Sequence, residues 1–399
     1  MREVGIVGVG HTRFGRWSGS FLDQAATAAV EALHDAGVDL AEGKANIDQV
    51  FLASMGVGQI NKISGAASAL VDTINLRPAM AETIENGPAS GASAVKLAYM
   101  AIASGMADTA LVVGSEQMRV ITGWEATDFV ATMSHPDAEY PYGLTLPSFA
   151  GMFTRLYMEK YGITEKDLAI VGVKNHENAM HNPCAHVRLV PDLYAITEDE
   201  DADVINPYVA SPIRLYATCP VSDGAAALVL TALDTGREFA HKPVRIAGIG
   251  QATDTHVVAE RPDPLDLFAV RESARKAYEM AGMGPEDIDV AELHDAFQIL
   301  EIVESEEVGF FPRGEGALAA REGKTRVDGE MPINTSGGLK AKGHPVGATG
   351  VSQVVEIVRQ LRGEAEGRQV KDAKTGLTTN FGGFGNNDVS IILTTREEG

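Results

Sequence analysis

Short apolar runs closed by glycine alternate with longer stretches that carry small and apolar residues at helical spacing. Val4-Gly5-Ile6-Val7-Gly8-Val9-Gly10 is such a run, and a continuous apolar segment of that length fits a strand buried on both faces. Residues 23–37 (DQAATAAVEALHDAG) follow with helical spacing and a terminal glycine, which predicts a helix and its stop. Residues 47–53 (IDQVFLA) read as the next strand. Further on, Pro88–Met106 reads as a helix, Ala110–Gly114 as a buried strand, Pro147–Tyr161 as a helix with proline in its first turn, and Ala225–Leu230 as another buried strand.

The first unit recurs 240 residues later. Val244–Gly250 echoes Val4–Gly10, Arg271–Gly282 echoes the first helix, and Ile288–Leu293 echoes the second strand. Two copies of one β-α-β unit predict a duplicated α/β fold with a pseudo-twofold axis. The expected boundary lies near Thr235–Pro243, where charge and a proline precede the second copy. Residues 117–165 are polar and aromatic, with Tyr140, Tyr142 and Phe149. Inside a compact enzyme such a segment is expected to cap a site.

Composition narrows the classes. The 399 residues, 45% of them hydrophobic, can bury a large core. A net charge of -22 and the lack of any basic run exclude nucleic-acid binding as the expected role. No apolar run reaches membrane-spanning length and no signal peptide opens the chain, so the expected location is the cytoplasm, without membrane insertion. The two cysteines, Cys184 and Cys219, supply neither a disulfide framework nor a C-x-x-C metal site. No metal is expected.

Chemistry concentrates in four places. Gly343-His344-Pro345-Val346-Gly347-Ala348-Thr349-Gly350 holds an imidazole in a stretch with almost no side-chain bulk, which reads as a loop that lets His344 point into a cavity. His294-Asp295-Ala296-Phe297 ends the apolar run Val290–Leu293. The end of a buried strand is where α/β folds set reactive groups, although His294 taken alone reads first as a strand-end cap. Asn380–Gly385 is glycine-rich, and its backbone N–H groups can face a developing oxyanion. Ile84–Ala94 carries tiny side chains around Pro88. Ser90 and Ser93 lie nearby, but a serine nucleophile needs a base within reach. Cys219 and Cys184 read as structural thiols.

Ala89-Ser90-Gly91, Asp223–Ala227, His294–Phe297, Asn334–Gly338 with Gly343–Gly350, and Asn380–Gly385 together resemble the motifs of the thiolase superfamily. The similarity is greatest to its sterol-carrier-protein and archaeal types and to thiolase-like aldolases, and it spans nearly the whole chain. It implies an α/β, thiolase-like fold with duplicated α-β-α-β-α layers: residues 1–240 as one half, with the insertion at about 117–165, and residues 241–399 as the other. It implies catalytic roles for His294, His344 and Asn334, and a backbone role for Gly382 and Gly383. It implies coenzyme A thioesters as substrates, no covalently bound cofactor, and a homodimer. Two departures stand out. Pro88 occupies the position of the nucleophilic cysteine, at a helix N-terminus that would favour a thiolate, and Ala296 stands where related thiolases have a second cysteine. The C-terminal glycine loop also lacks its acid/base cysteine.

Three functions follow from that pattern. The first is a lyase or aldolase that makes or breaks a C–C bond of an acyl-CoA through an enolate, which needs no acyl-enzyme. Aldolases of this superfamily work with a small OB-fold and zinc-ribbon partner, and in some of them tyrosines replace the two histidines. The second is an acetyl-CoA acetyltransferase-like acyltransfer that does without the usual cysteine. The third is a non-catalytic subunit paired with an active thiolase or accessory protein.

Overall fold

The computed structural model describes residues 1–38, 46–192 and 202–396. Its strands are β1 (Val4–His11), β2 (Gln49–Ala53), β3 (Met80–Ile84), β4 (Thr109–Gln117), a short hairpin of β5 (Tyr208–Ala210) and β6 (Ile213–Arg214), β7 (Asp223–Ala232), β8 (Val244–Thr253), β9 (Val290–Glu292), β10 (Thr375–Gly382) and β11 (Asn387–Thr394). All but the hairpin join one nine-stranded sheet in the order β3-β2-β4-β7-β1-β8-β11-β10-β9. Read outward from the β1–β8 seam, each side repeats the other. β1 and β8 pair antiparallel with β7 and β11, these pair antiparallel with β4 and β10, and β2 and β9 run parallel beyond them. The place of β3 is taken in the second half by a single parallel bridge from Ala291 to Ile333. In the sheet the halves join through two residue pairs, Gly5 with Arg245 and Ile6 with Val244.

The helices used below are α1 (Phe21–Asp35), α2 (Ala66–Thr73), α3 (Ser90–Ala103), α4 (Gly123–Ala131), α5 (Leu146–Tyr161), α6 (Glu165–Met180), α7 (Phe268–Ala281), α8 (Gln298–Glu307) and α9 (Val346–Arg362). Side-chain alternation along the strands builds the five layers. Val112 and Leu228 point to a central cluster with Val95 and Ile102 of α3, Val351 and Val354 of α9, and Val389 and Ile391 of β11. Leu111, Val113 and Val229 point the other way, onto Ala25, Ala28 and Leu33 of α1 and Leu70 of α2. Ile392 and Leu377 likewise meet Val270 and Ala277 of α7 and Leu300 of α8. α3 and α9 are thus sandwiched between the two half-sheets. The residues there are small because the backbones nearly touch: a Cβ on Gly91 would lie 2.9 Å from the Gly350 nitrogen.

Sequence and structure part in three local respects. Pro88 lies before the Ala89 cap of α3 rather than in the first helical turn. Gly343–Gly350 is only partly a loop, because α9 begins at Val346 and makes Gly347 and Gly350 helical. Residues 117–165 contain α4, which the sequence pattern did not announce, as well as α5, which matches the helix expected over Pro147–Tyr161.

Candidate active site

Three chain segments deliver the site. β9 ends at Glu292, and His294 follows in the turn before α8. His344 sits between Gly343 and Pro345, just before α9. Gly343 has φ 112, a value favourable only to glycine, so the turn that presents His344 requires it. That turn is held from beneath by Glu116 at the end of β4, which accepts hydrogen bonds from the N–H groups of Gly347 (3.2 Å), Met55 (2.9 Å) and Gly56 (3.0 Å). Burial raises the Glu116 carboxyl to about 7 against those bonds.

The two imidazoles meet edge to face, with centroids 5.0 Å apart and planes at 90°. Both line a cavity of about 330 Å³ with Pro88, Ala296, Cys219 and Gly383. Most of the remaining wall is apolar, including Val130 of α4, Leu146 of α5, Leu300 of α8, Phe381 and Phe384. Burial and the His344 ring hold His294 well below the usual histidine range, and burial with the Lys342 charge takes His344 down to about 3. Both rings are therefore neutral, and their hydrogen bonds assign which nitrogen carries the proton.

At His294, the Asn380 Oδ1 accepts from the Ala92 N–H at 3.3 Å. That fixes the amide, whose Nδ2 then donates to Nδ1 of His294 at 3.1 Å. The ring proton must be on Nε2, which has no hydrogen-bond partner among the described residues. At His344 the Thr349 hydroxyl donates to the Pro345 carbonyl at 3.1 Å, so its oxygen accepts from Nδ1 of His344 at 2.7 Å. The bare nitrogen is Nε2. One imidazole offers the cavity a donor and the other a lone pair. The sequence motifs contain Asn380 and Thr349, but nothing in the spacing marks them as the residues that set these tautomers.

Two expected site residues lie elsewhere. Asn334 is fully buried behind β9 and does not line the cavity. Its Oδ1 accepts from the Leu293 N–H and its Nδ2 donates to Glu301, each at 2.8 Å, so its amide is occupied in holding the strand end that carries His294. Gly382 faces a separate polar hollow with Asn86, Gln251 and Asp254, whereas Gly383 borders both spaces. Three of the four nucleophile alternatives also fall away from the site. Ser90 Oγ accepts from the Asn86 N–H at 2.7 Å, and Ser93 Oγ accepts from the Asn86 side chain at 2.9 Å. Neither serine lines the cavity. Cys184 sits apart, 3.6 Å from the His11 carbonyl. Cys219 does line the cavity, and its N–H donates to the Ala296 carbonyl at 2.9 Å. Burial pushes its thiol up to about 12, so it stays protonated.

The family model described as "Thiolase, N-terminal domain" matches residues 4–234, and "Thiolase C-terminal domain-like" matches residues 250–395. The chain belongs to the thiolase family. It is 41% identical to the acetyl-CoA acetyltransferase of Methanothermobacter thermautotrophicus over 96% of this chain and 97% of that one. It is 32% identical to the benzoylsuccinyl-CoA thiolase subunit BbsB of Thauera aromatica over 96% and 95%. Among solved structures, "Ltp2-ChsH2(DUF35) aldolase" superposes with a TM-score of 0.81 at 24% identity, covering 98% of this chain and 97% of that chain, a likeness of fold. Within this thiolase fold, the residue before the α3 cap is a proline and the residue two after His294 is an alanine. No thiol low enough in pKa to accept an acyl group lines the cavity among the described residues.

Proposed function

We propose that the chain cleaves or forms a C–C bond of a coenzyme A thioester through an enolate, by retro-aldol or aldol chemistry and without an acyl-enzyme. The observation that carries this reading is the pairing of an imidazole donor with an imidazole lone pair beside a proline.

For a β-hydroxyacyl thioester the steps balance. His344 Nε2 takes the proton of the β-hydroxyl as that carbon becomes a carbonyl. The Cα–Cβ bond breaks and its electron pair passes to Cα and the thioester oxygen. His294 Nε2–H donates to that oxygen. The imidazolium of His344 then returns its proton to Cα, giving an acyl-CoA and an aldehyde or ketone. A charged His344 is costly in this buried place, but it forms only as the enolate charge appears beside it, so the two stabilise each other. The mainly apolar wall of the cavity supports an uncharged, bulky acyl group.

The relatives named for acyl transfer favour the second reading, in which this chain is an acyltransferase. That reaction needs an acyl acceptor on the protein or direct transfer to free CoA, and Cys219 is the sole cavity thiol among the described residues. The two are separable by experiment, because Cys184 and Cys219 are the only cysteines in the chain. The variant Cys184→Ser/Cys219→Ser should keep turnover of a β-hydroxyacyl-CoA within about threefold, with no requirement for free CoA. Loss of turnover in that variant, or dependence on CoA as acceptor, would give the second reading. The assay is run with and without an OB-fold and zinc-ribbon partner and alongside a measurement of mass in solution, since a homodimer and an accessory protein are both part of this proposal. Tight acyl-CoA binding with no turnover in any of these conditions would make the chain a binding subunit.

A further inference from the structure

The polar hollow at Gly382 has a volume of about 610 Å³, and the exposed residues Gln59, Glu85 and Thr132 form part of its lining. Two residues border both this hollow and the cavity of the two histidines, Met133 and Gly383. The partition between the two spaces is thin. Pro88 lines the cavity, whereas Asn86 and Gly87, just before it, line the hollow. A Cβ at Gly382 would lie 3.2 Å from the Asn86 carbonyl oxygen, and a Cβ at Gly87 would lie 3.3 Å from Met133 Sδ. Two glycine-bearing segments of backbone and one methionine therefore stand between the spaces. Glycine keeps the backbone part free of side chains. Methionine is unbranched, with several rotatable bonds, so Met133 is the movable part.

The two spaces differ in chemistry. The cavity wall is mainly apolar. The hollow is lined by amides, threonines, His256 and the carboxylates of Glu85 and Asp254, with no lysine or arginine among its described lining residues. Its wall also holds a hydrogen-bond donor whose identity the fold fixes. The Lys96 ammonium only donates, so Gln251 Oε1 accepts from it. Gln251 Nε2 then donates to Asn387 Oδ1 at 3.1 Å. That leaves Asn387 Nδ2 as a buried N–H group without a partner among the described residues. The place that a Cβ on Gly382 would fill is 3.7 Å from this nitrogen. In the turn between β10 and β11, Asn386 is 8% exposed and its Oδ1 likewise lacks a partner among the described residues. Unspent buried amide groups carry a desolvation cost that an occupant with matching polar atoms offsets.

We propose that the hollow is a second compartment of the substrate site, gated by Met133, and that it receives the far end of the acyl group. The chain is apolar next to the reacting carbons and passes between Met133 and Gly383. Its end carries an uncharged oxygen, a hydroxyl or a carbonyl, that accepts from Asn387 Nδ2. An ammonium end has no lone pair for that donor, and a carboxylate end is repelled by Glu85 and Asp254. This rests on the reading of the substrate as a coenzyme A thioester, but not on the reaction assigned to it. The test is calorimetric titration of the intact protein with saturated acyl-CoAs of increasing length and with their ω-hydroxy and ω-carboxy counterparts, none of which can be cleaved. Once the chain is long enough to cross the partition, the ω-hydroxy ester should bind about fivefold to tenfold more tightly than the plain ester of equal length, the worth of one hydrogen bond. The ω-carboxy ester should bind more weakly than the plain one. Asn387→Leu and, from the other side of the partition, Met133→Trp should each abolish the advantage of the hydroxyl, with the plain ester bound by the same variant as the reference. A parent protein that gains nothing from the hydroxyl at any length, or an advantage that survives in either variant, overturns the proposal. Failure to bind any coenzyme A ester overturns it together with the reading of the substrate, whereas discrimination by a protein that cleaves no thioester upholds the compartment and contradicts only the reaction.

Discussion

His344 can accept a substrate proton only while Nε2 is bare, and Thr349 keeps it so through the 2.7 Å contact with Nδ1. Thr349→Val preserves shape and removes that acceptor. A hydrogen bond of this kind contributes about 1 kcal/mol, so kcat should fall about fivefold to tenfold with KM little changed, and Thr349→Ser should restore it. His294→Phe keeps a ring but removes the donor. Loss of an oxyanion donor typically lowers kcat by about 10²–10³-fold, and steady-state kinetics on a β-hydroxyacyl-CoA would read the same range here. With its pKa at about 3, His344 is in the base form at every ordinary pH. The sign is that of a depressed base: protonation, and loss of rate, come only as pH falls toward that value. A profile of kcat/KM should stay level between about pH 8 and pH 5 rather than bending near the usual histidine value of about 6.5. Pro88→Cys tests the other side of the site. It restores one sulfur but leaves Ala296 and a glycine loop without a thiol, so thiolysis of acetoacetyl-CoA should stay at background.

At the scale of elements, α3, β10 and the turn after β9 act as one unit, because the Ala92–Asn380–His294 chain of hydrogen bonds crosses all three. A Cβ at Gly350 would lie 2.2 Å from Asn380 Oδ1 and 2.4 Å from the Ala92 nitrogen. Gly350→Ala should therefore lower stability by about 1–3 kcal/mol, as overpacking does, and also reduce turnover by displacing the amide that sets the His294 tautomer. Urea unfolding and kinetics on the same variant read both effects. Much of this layer was legible beforehand, since the glycine-closed runs of β1 and β8 and the continuous apolar runs of β4 and β7 mark buried strands. α6 was not. Its buried face mixes Leu168, Val171 and Ala179 with Lys174, Asn175 and His176, which breaks the apolar stripe by which helices are recognised. Lys174 pairs with Glu301 at 2.9 Å, and Asn175 donates to Asp295 and Glu301 at 2.7 and 2.8 Å. The same polar layer explains Asn334: its motif marks its position in the chain, but only the fold shows its amide already spent on Leu293 and Glu301. The Thr164 capping box with Asp167 was the one local signal that could have announced α6.

For the molecule as a whole, duplication places two loops from the second half, those bearing His294 and His344, against the N-terminal end of α3 from the first. The cavity they share with residues 117–165 has no charged side chain among its described lining residues. A carboxylate on the acyl chain would be buried there without a partner, at a cost of several kcal/mol. Neutral branched or aromatic β-hydroxyacyl-CoAs should therefore be preferred over dicarboxylic ones by at least about 10²-fold in kcat/KM, and competition between the two types in one assay would measure it. The central claim is that this thiolase-family chain stabilises an enolate and never becomes acylated. Intact-protein mass spectrometry of samples quenched during turnover of a β-hydroxyacyl-CoA in deuterated water tests it most directly. The account predicts an unmodified protein mass throughout, with a carbonyl compound and an α-deuterated acyl-CoA formed in equal amounts. A protein population heavier by the acyl group, appearing and decaying with turnover, would contradict it.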